Sequence, residues 1–197
     1  MKKIPVWAVV LGVIAVIGIW TISSYNGLVS SKGGVDNSWA QVQVQYQRRA
    51  DLTPQLIATV QGAADFESTT LENVTKARTN WLNMFQDTSA TRSDLIASSN
   101  TFDSAFSKLL VSVEAYPDIK ATAGFATLQI QLEGNENRIS VARKDYNDAV
   151  TSYNITIKKV PTLVVARLFG FTAADLFEST AGAEVAPTVD FDFQATK

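Results

Sequence analysis

From Val35 onward, apolar or large residues recur at alternating steps of four and three: Val35, Trp39, Val42, Tyr46, then Leu56 and Val60, with Arg49 and Thr53 on the intervening beats. That spacing keeps one stripe of an α-helix against a partner helix. The stretch VQVQYQ inside it also alternates with period two, so a strand competes locally. The helical beat on both sides decides for helix. Leu71, Val74, Trp81 and Phe85 carry the same beat, with Arg78 in the gap, so the pattern predicts one long first helix over 25–86. Gly33-Gly34 reads as a break or soft joint, and Gly62 as a second bend. Pro54 deprives the carbonyl of Ala50 of its donor. Because the seam keeps its phase across Pro54, the expectation is a kink and not a break.

Two partner helices follow. After the polar loop DTSATRS, Thr91 and Asp94 have the spacing of a capping box. Leu95, Ser99, Phe102, Phe106, Leu109, Val113 and Tyr116 then form a heptad seam that Pro117 ends. The next seam opens after Lys120–Thr122 and reads Phe125, Leu128, Leu132, Asn135, Ile139, Ala142, Tyr146, Ala149 and Tyr153. Pro161 breaks this helix. Gly170 suits a helix C-cap, and Thr172 with Asp175 suits a new N-cap leading into Leu176-Phe177. Leu168, Phe169, Phe171, Leu176 and Phe177 are too many apolar groups for water; they plug one end of the bundle or dock on a neighbour or the lipid surface. From Ser179 the composition predicts a disordered tail, in which Phe191 and Phe193 are a candidate short motif.

Ahead of the seam, Met1-Lys2-Lys3 precedes the uncharged run Ile4 to Ile22. Its nineteen residues make roughly 28 Å of helix, the thickness of a bilayer's hydrocarbon core. Trp7 and Trp20 sit near its ends, as interfacial aromatics do, with Tyr25 just beyond. A cleaved signal peptide is the rival reading, but the run exceeds a usual h-region and offers only a weak cleavage site. Lys2 and Lys3 outnumber Lys32 across the run, which puts the N-terminus in the cytoplasm and the body outside. Ala8 and Gly12 form a small-xxx-small pair through which anchors can touch. The expected architecture is therefore all-α: a tail at 1–3, a transmembrane anchor at 4–24, an antiparallel bundle of long helices with short C-terminal helices at 25–178, and a disordered tail at 179–197.

Composition narrows the chemistry. The chain has no histidine and no cysteine, and its formal net charge is −2. Disulfides, thiolate nucleophiles, Ser-His-Asp or Cys-His arrangements and histidine metal sites are excluded. The charge gives no basic field for nucleic acid. Neither an enzyme activity nor a cofactor is expected. Arg49 with Asp51, and Asn135, Glu136 and Arg143 on the later seam, read as an interhelical polar network that sets register. The functional alternatives are a grip on an anionic partner for Arg49, and a hard-cation or acid–base site around Glu133 and Glu136. The sequons at Asn73 and Asn154 fall within predicted helices and are discounted.

Several blocks resemble the LemA family of bacterial membrane proteins. They are Tyr25-Asn26 with Leu28-Val29, Val35 to Trp39, VQVQYQRRADLTPQL, EAYPDIK at 114–120, Leu128-Gln129 through Ile139, Ala142-Arg143 with Tyr146-Asn147 and Ala149-Val150, Tyr153-Asn154, and Phe169-Gly170-Phe171. The resemblance implies an N-terminal anchor and a body of a few long antiparallel helices; it implies no reaction. The chain departs from the family pattern at Pro54-Gln55, Gln61-Gly62-Ala63 and Phe66-Glu67. The expected role is a single-pass helical scaffold or tether of the bacterial cytoplasmic membrane that self-assembles. The bilayer, further copies and other envelope proteins are the expected partners, and Leu168, Phe169, Phe171 and Phe177 the candidate contact surface. A sensor or adaptor signalling through the kinked helix is the competing role.

Overall fold

The computed structural model describes residues 5–62 and 66–177. The tails at 1–3 and 179–197, with Phe191 and Phe193, lie outside the described residues. The described residues form six helices and no strand: α1 (Val6–Gln61), α2 (Ser68–Gln86), α3 (Arg92–Val113), α4 (Pro117–Lys120), α5 (Ala123–Thr156) and α6 (Thr162–Leu168). VQVQYQ is helical, as the flanking beat requires.

Two expectations about the first helix need correction. The break at Gly33-Gly34 does not exist, because α1 runs unbroken for 56 residues from the apolar run into the bundle. Both glycines are exposed, and the seam residues Val35 and Leu28 are buried on either side. Burial of a continuous stripe outweighs the roughly 1 kcal/mol that each glycine costs a helix. The single helix over 25–86 is in fact two, since α1 stops at Gln61 and α2 starts at Ser68. The chain reverses there, so α2 runs back along α1: Trp81 stacks on Tyr46, and Arg78 reaches Ala50.

The bundle is thus four long helices. α1 lies along α5, antiparallel, with Trp39 against Tyr146 and Gln45 beside Asn135. α2 and α3 form a hairpin joined at residues 87–91. Thr91 caps α3 in a full capping box with Asp94, whose carboxylate is held below its ordinary pKa by the Thr91 hydroxyl and N–H. The seam residues of all four helices meet in one core, where Trp81 is 1% exposed and its indole N–H donates to the Ser99 hydroxyl at 3.2 Å. Thr122 caps α5 by accepting from the Phe125 N–H.

Pro54 lies inside α1, which continues through it for another two turns. The carbonyl of Ala50, robbed of its donor by the proline, is buried with its residue at 0% exposure. Arg78 on α2 supplies the replacement: its Nε–H donates to that oxygen at 2.6 Å. The Arg78 that interrupts the α2 seam is therefore the partner of the proline in α1. Arg78→Met leaves the buried carbonyl unpaired and should cost about 1–3 kcal/mol in chemical denaturation. In a Pro54→Ala background the backbone N–H of residue 54 returns, and the same change should cost much less. Equal costs in the two backgrounds would refute the pairing.

Candidate functional site

At the middle of the bundle, α1, α3 and α5 bring four charged groups together. Arg49 is 2% exposed, although an isolated guanidinium cannot be buried cheaply. One of its Nη groups pairs with Asp103 on α3 and the other with Glu136 on α5. Arg143, two turns beyond Glu136, pairs with the second oxygen of Asp103. The Tyr46 hydroxyl donates to Asp103 at 3.0 Å and accepts from Arg143. Rings complete the enclosure: the Arg49 guanidinium lies 5.2 Å from the centroids of both Tyr46 and Phe106, and 5.8 Å from Phe102.

Arg49, Glu136 and Arg143 therefore meet, and Asn135 joins them by donating to the Gln45 carbonyl of α1 at 3.2 Å. Asp51 does not. Two residues along a helix from Arg49, it points away from the core and accepts from Gln47 on the exposed face at 2.9 Å. The carboxylate that takes its place is Asp103, which sequence reasoning missed. Its signal was available: Ser99, Asp103 and Phe106 follow the four-three beat as well as Ser99, Phe102 and Phe106 do. Two guanidinium groups and two carboxylates balance, so the cluster carries no formal charge with which to attract a ligand. Glu133, the other half of the candidate cation pair, accepts from Gln129 at the surface, and no cluster of metal-binding side chains occurs among the described residues.

A second arrangement lies nearer the apolar N-terminal part of α1. Tyr146-Asn147 and Tyr153-Asn154 repeat at a spacing of seven on α5, two turns apart on one face. Both asparagines use their amides in two directions: Asn147 accepts from the Phe177 N–H and donates to its carbonyl, and Asn154 does the same for Ala174, all at 2.9 Å. The tyrosine hydroxyls donate to the carbonyls of Asp175 and Thr172. Seven helical residues rise about 10.5 Å and three extended residues span about 10 Å, so the two periods match. Residues 171–177 thus lie extended along α5. The helix expected from Thr172 and Asp175 is absent, because its backbone groups are already bonded to α5 side chains. Phe177 is correspondingly a core residue, 5.8 Å from Trp39 and 4.7 Å from the Arg143 guanidinium. Phe171 is half-buried beside Tyr25 of α1, whereas Leu168 and Phe169 stand exposed.

Two expected outcomes check the charged cluster. Asp103→Ala takes one of the two carboxylates of Arg49 and the carboxylate partner of Arg143, and should cost about 3 kcal/mol in urea unfolding, where Asp51→Ala should change stability by less than about 0.5 kcal/mol. A reversed order would return Asp51 to the network. Burial, reinforced by the Asp103 charge, pushes the Tyr46 phenol above its ordinary pKa. The folded state therefore holds this proton more tightly than the unfolded chain. The resulting stability is complete below about pH 10 and is lost as pH rises further. Thermal melts should show the advantage of the unaltered protein over Tyr46→Phe shrinking above about pH 10; a constant difference contradicts the shift.

Comparison with known proteins gives the geometry a family. The LemA family model matches residues 38–191, most of the chain. Protein LemA of Metamycoplasma hominis is 24% identical over 155 residues, covering 79% of this chain and 69% of that protein. Magnetosome protein MamQ 2 of Paramagnetospirillum magneticum is 34% identical over 84 residues, or 43% of this chain. Magnetosome protein MamQ of Magnetospirillum gryphiswaldense is 29% identical over 89 residues. The chain spans about a third of the length of these MamQ relatives, 31% and 33% respectively. On the extent of the family match, carried by the helices that hold the charged cluster and the extended strip, this chain belongs to the LemA family.

Proposed function

We propose that this protein is a non-enzymatic, single-pass scaffold of the bacterial envelope, a rod held at the cytoplasmic membrane that assembles with further copies of itself. The observation that carries this reading is the continuity of α1. Its N-terminal part is apolar and exposed over the length needed to cross a bilayer, and its remainder is a principal strut of the bundle. With helix through Gly33-Gly34, the body has no soft joint and its orientation follows that of the anchor. The four central charged groups bond to one another, which suits alignment of helices better than turnover of a substrate. Exposed Val44, Ile130, Val141 and Ile155 on α1 and α5, with the small residues Ala8 and Gly12 in the anchor, support self-association.

The body is assigned to the extracytoplasmic side on the lysine count at the two ends of the apolar run. One experiment addresses both claims. A membrane-impermeant amine crosslinker added to intact spheroplasts should trap discrete oligomers through the body's lysines. Trapping only after lysis would put the body in the cytoplasm. A monomer under both conditions would remove self-assembly.

A sensor or adaptor role is favoured by one contact, the Arg78–Ala50 bond across the proline, which ties any change in α1 to α2. Pro54→Ala that leaves assembly intact but silences an envelope response would support that second reading.

A further inference from the structure

Helix α6 has two apolar faces where a surface helix of a soluble body has one. Its inner face, Val165 and Ala166, is buried at 2% and 1% exposure. Its outer face shows Val164 at 65% and Leu168 at 74%, extended by Val160 at 81% before the helix and Phe169 at 51% after it. A Schellman turn fixes this end of α6: Gly170 takes a φ of 72°, and the Phe171 N–H donates to the Ala166 carbonyl at 2.9 Å. Phe169 and Phe171 are thereby set against the long helix, with ring centroids 4.9 and 5.7 Å from that of Tyr25.

Tyr25 marks a height. It lies three residues, roughly 4.5 Å of rise, beyond Ile22 and the end of the apolar run. Trp20, inside that run, is already half-buried against the core. The exposed side of α6 is therefore level with the end of the membrane span, where tryptophan and tyrosine settle in a bilayer. Charge agrees with this position. Between Asp148 and Asp175 the chain carries Lys158, Lys159 and Arg167 and no acid, and all three are exposed. Apolar side chains flanked by lysine and arginine are what the headgroup region accepts, with the aliphatic part inward and the charge at lipid phosphate.

We propose that the outer face of α6, with Val160 and Phe169 at its ends, rests in the headgroup–acyl boundary of the bilayer that holds the anchor, with Lys158, Lys159 and Arg167 against lipid phosphates. The body then has two points of attachment, the span and this foot. Together they fix its tilt and rotation, which a lone transmembrane helix leaves free. The inference rests on the reading of residues 4–22 as a membrane span.

The test uses full-length protein in vesicles of phosphatidylethanolamine and phosphatidylglycerol. The chain has no cysteine, so single-cysteine variants carry one fluorophore each. Val164→Cys and Leu168→Cys report the foot, Ile14→Cys the span, and Ser107→Cys the middle of the bundle, level with the charged cluster and well clear of the span. All four positions are exposed, so the labels leave the core intact. Labels at 164 and 168 should be quenched by spin-labelled lipid, shielded from aqueous iodide, and read a depth of roughly 5–10 Å into the boundary. The label at 107 should respond to iodide alone. Iodide quenching at 164 and 168, or shielding from both quenchers as a second copy would give, overturns the foot while residue 14 still reports lipid. Failure of lipid to quench residue 14 overturns the span, and the foot with it.

Discussion

A guanidinium enclosed by rings and carboxylates is the constraint on which the bundle depends. Apolar seams attract without regard to register; sliding one helix past another by a turn still buries leucine against phenylalanine. Arg49 removes that freedom. Buried as it is, it must meet Asp103 and Glu136 at once, and only one axial alignment of α1, α3 and α5 allows it. Arg143 and the Tyr46 hydroxyl hold Asp103 from the other side, so a shift of any one helix would strand charges in an apolar surround.

The same principle operates at smaller scale elsewhere. Pro54 opens a gap in the hydrogen bonding of α1, and Arg78 closes it from α2, turning a local defect into a fixed point between two helices. Nearer the apolar N-terminal part of α1, the paired Tyr-Asn repeats of α5 satisfy an extended backbone that neither helix nor sheet would cover. In each case a polar obligation that must be met in one place supplies the specificity that hydrophobic burial lacks.

The helical seams, the partner helices α3 and α5 and the cap at Thr91 were legible in the sequence, since heptad spacing and capping are local patterns. So were Arg49, Glu136 and Arg143, charged residues on or beside an apolar stripe. Asp51 misled because it is near Arg49 in the chain, and nearness in sequence is not a shared face on a helix. Thr172 and Asp175 misled because a capping signal states only what the backbone prefers when nothing else bonds to it.

The residues by themselves determined an all-helical chain with an apolar span at its start, because periodicity and length follow from backbone geometry alone. Tertiary structure alone decided that α1 passes Gly33-Gly34 and ends at Gln61, that Asp103 completes the charged cluster, and that residues 171–177 stay extended. Each depends on a partner far away in the chain, whose contribution outweighs a local preference of about 1 kcal/mol.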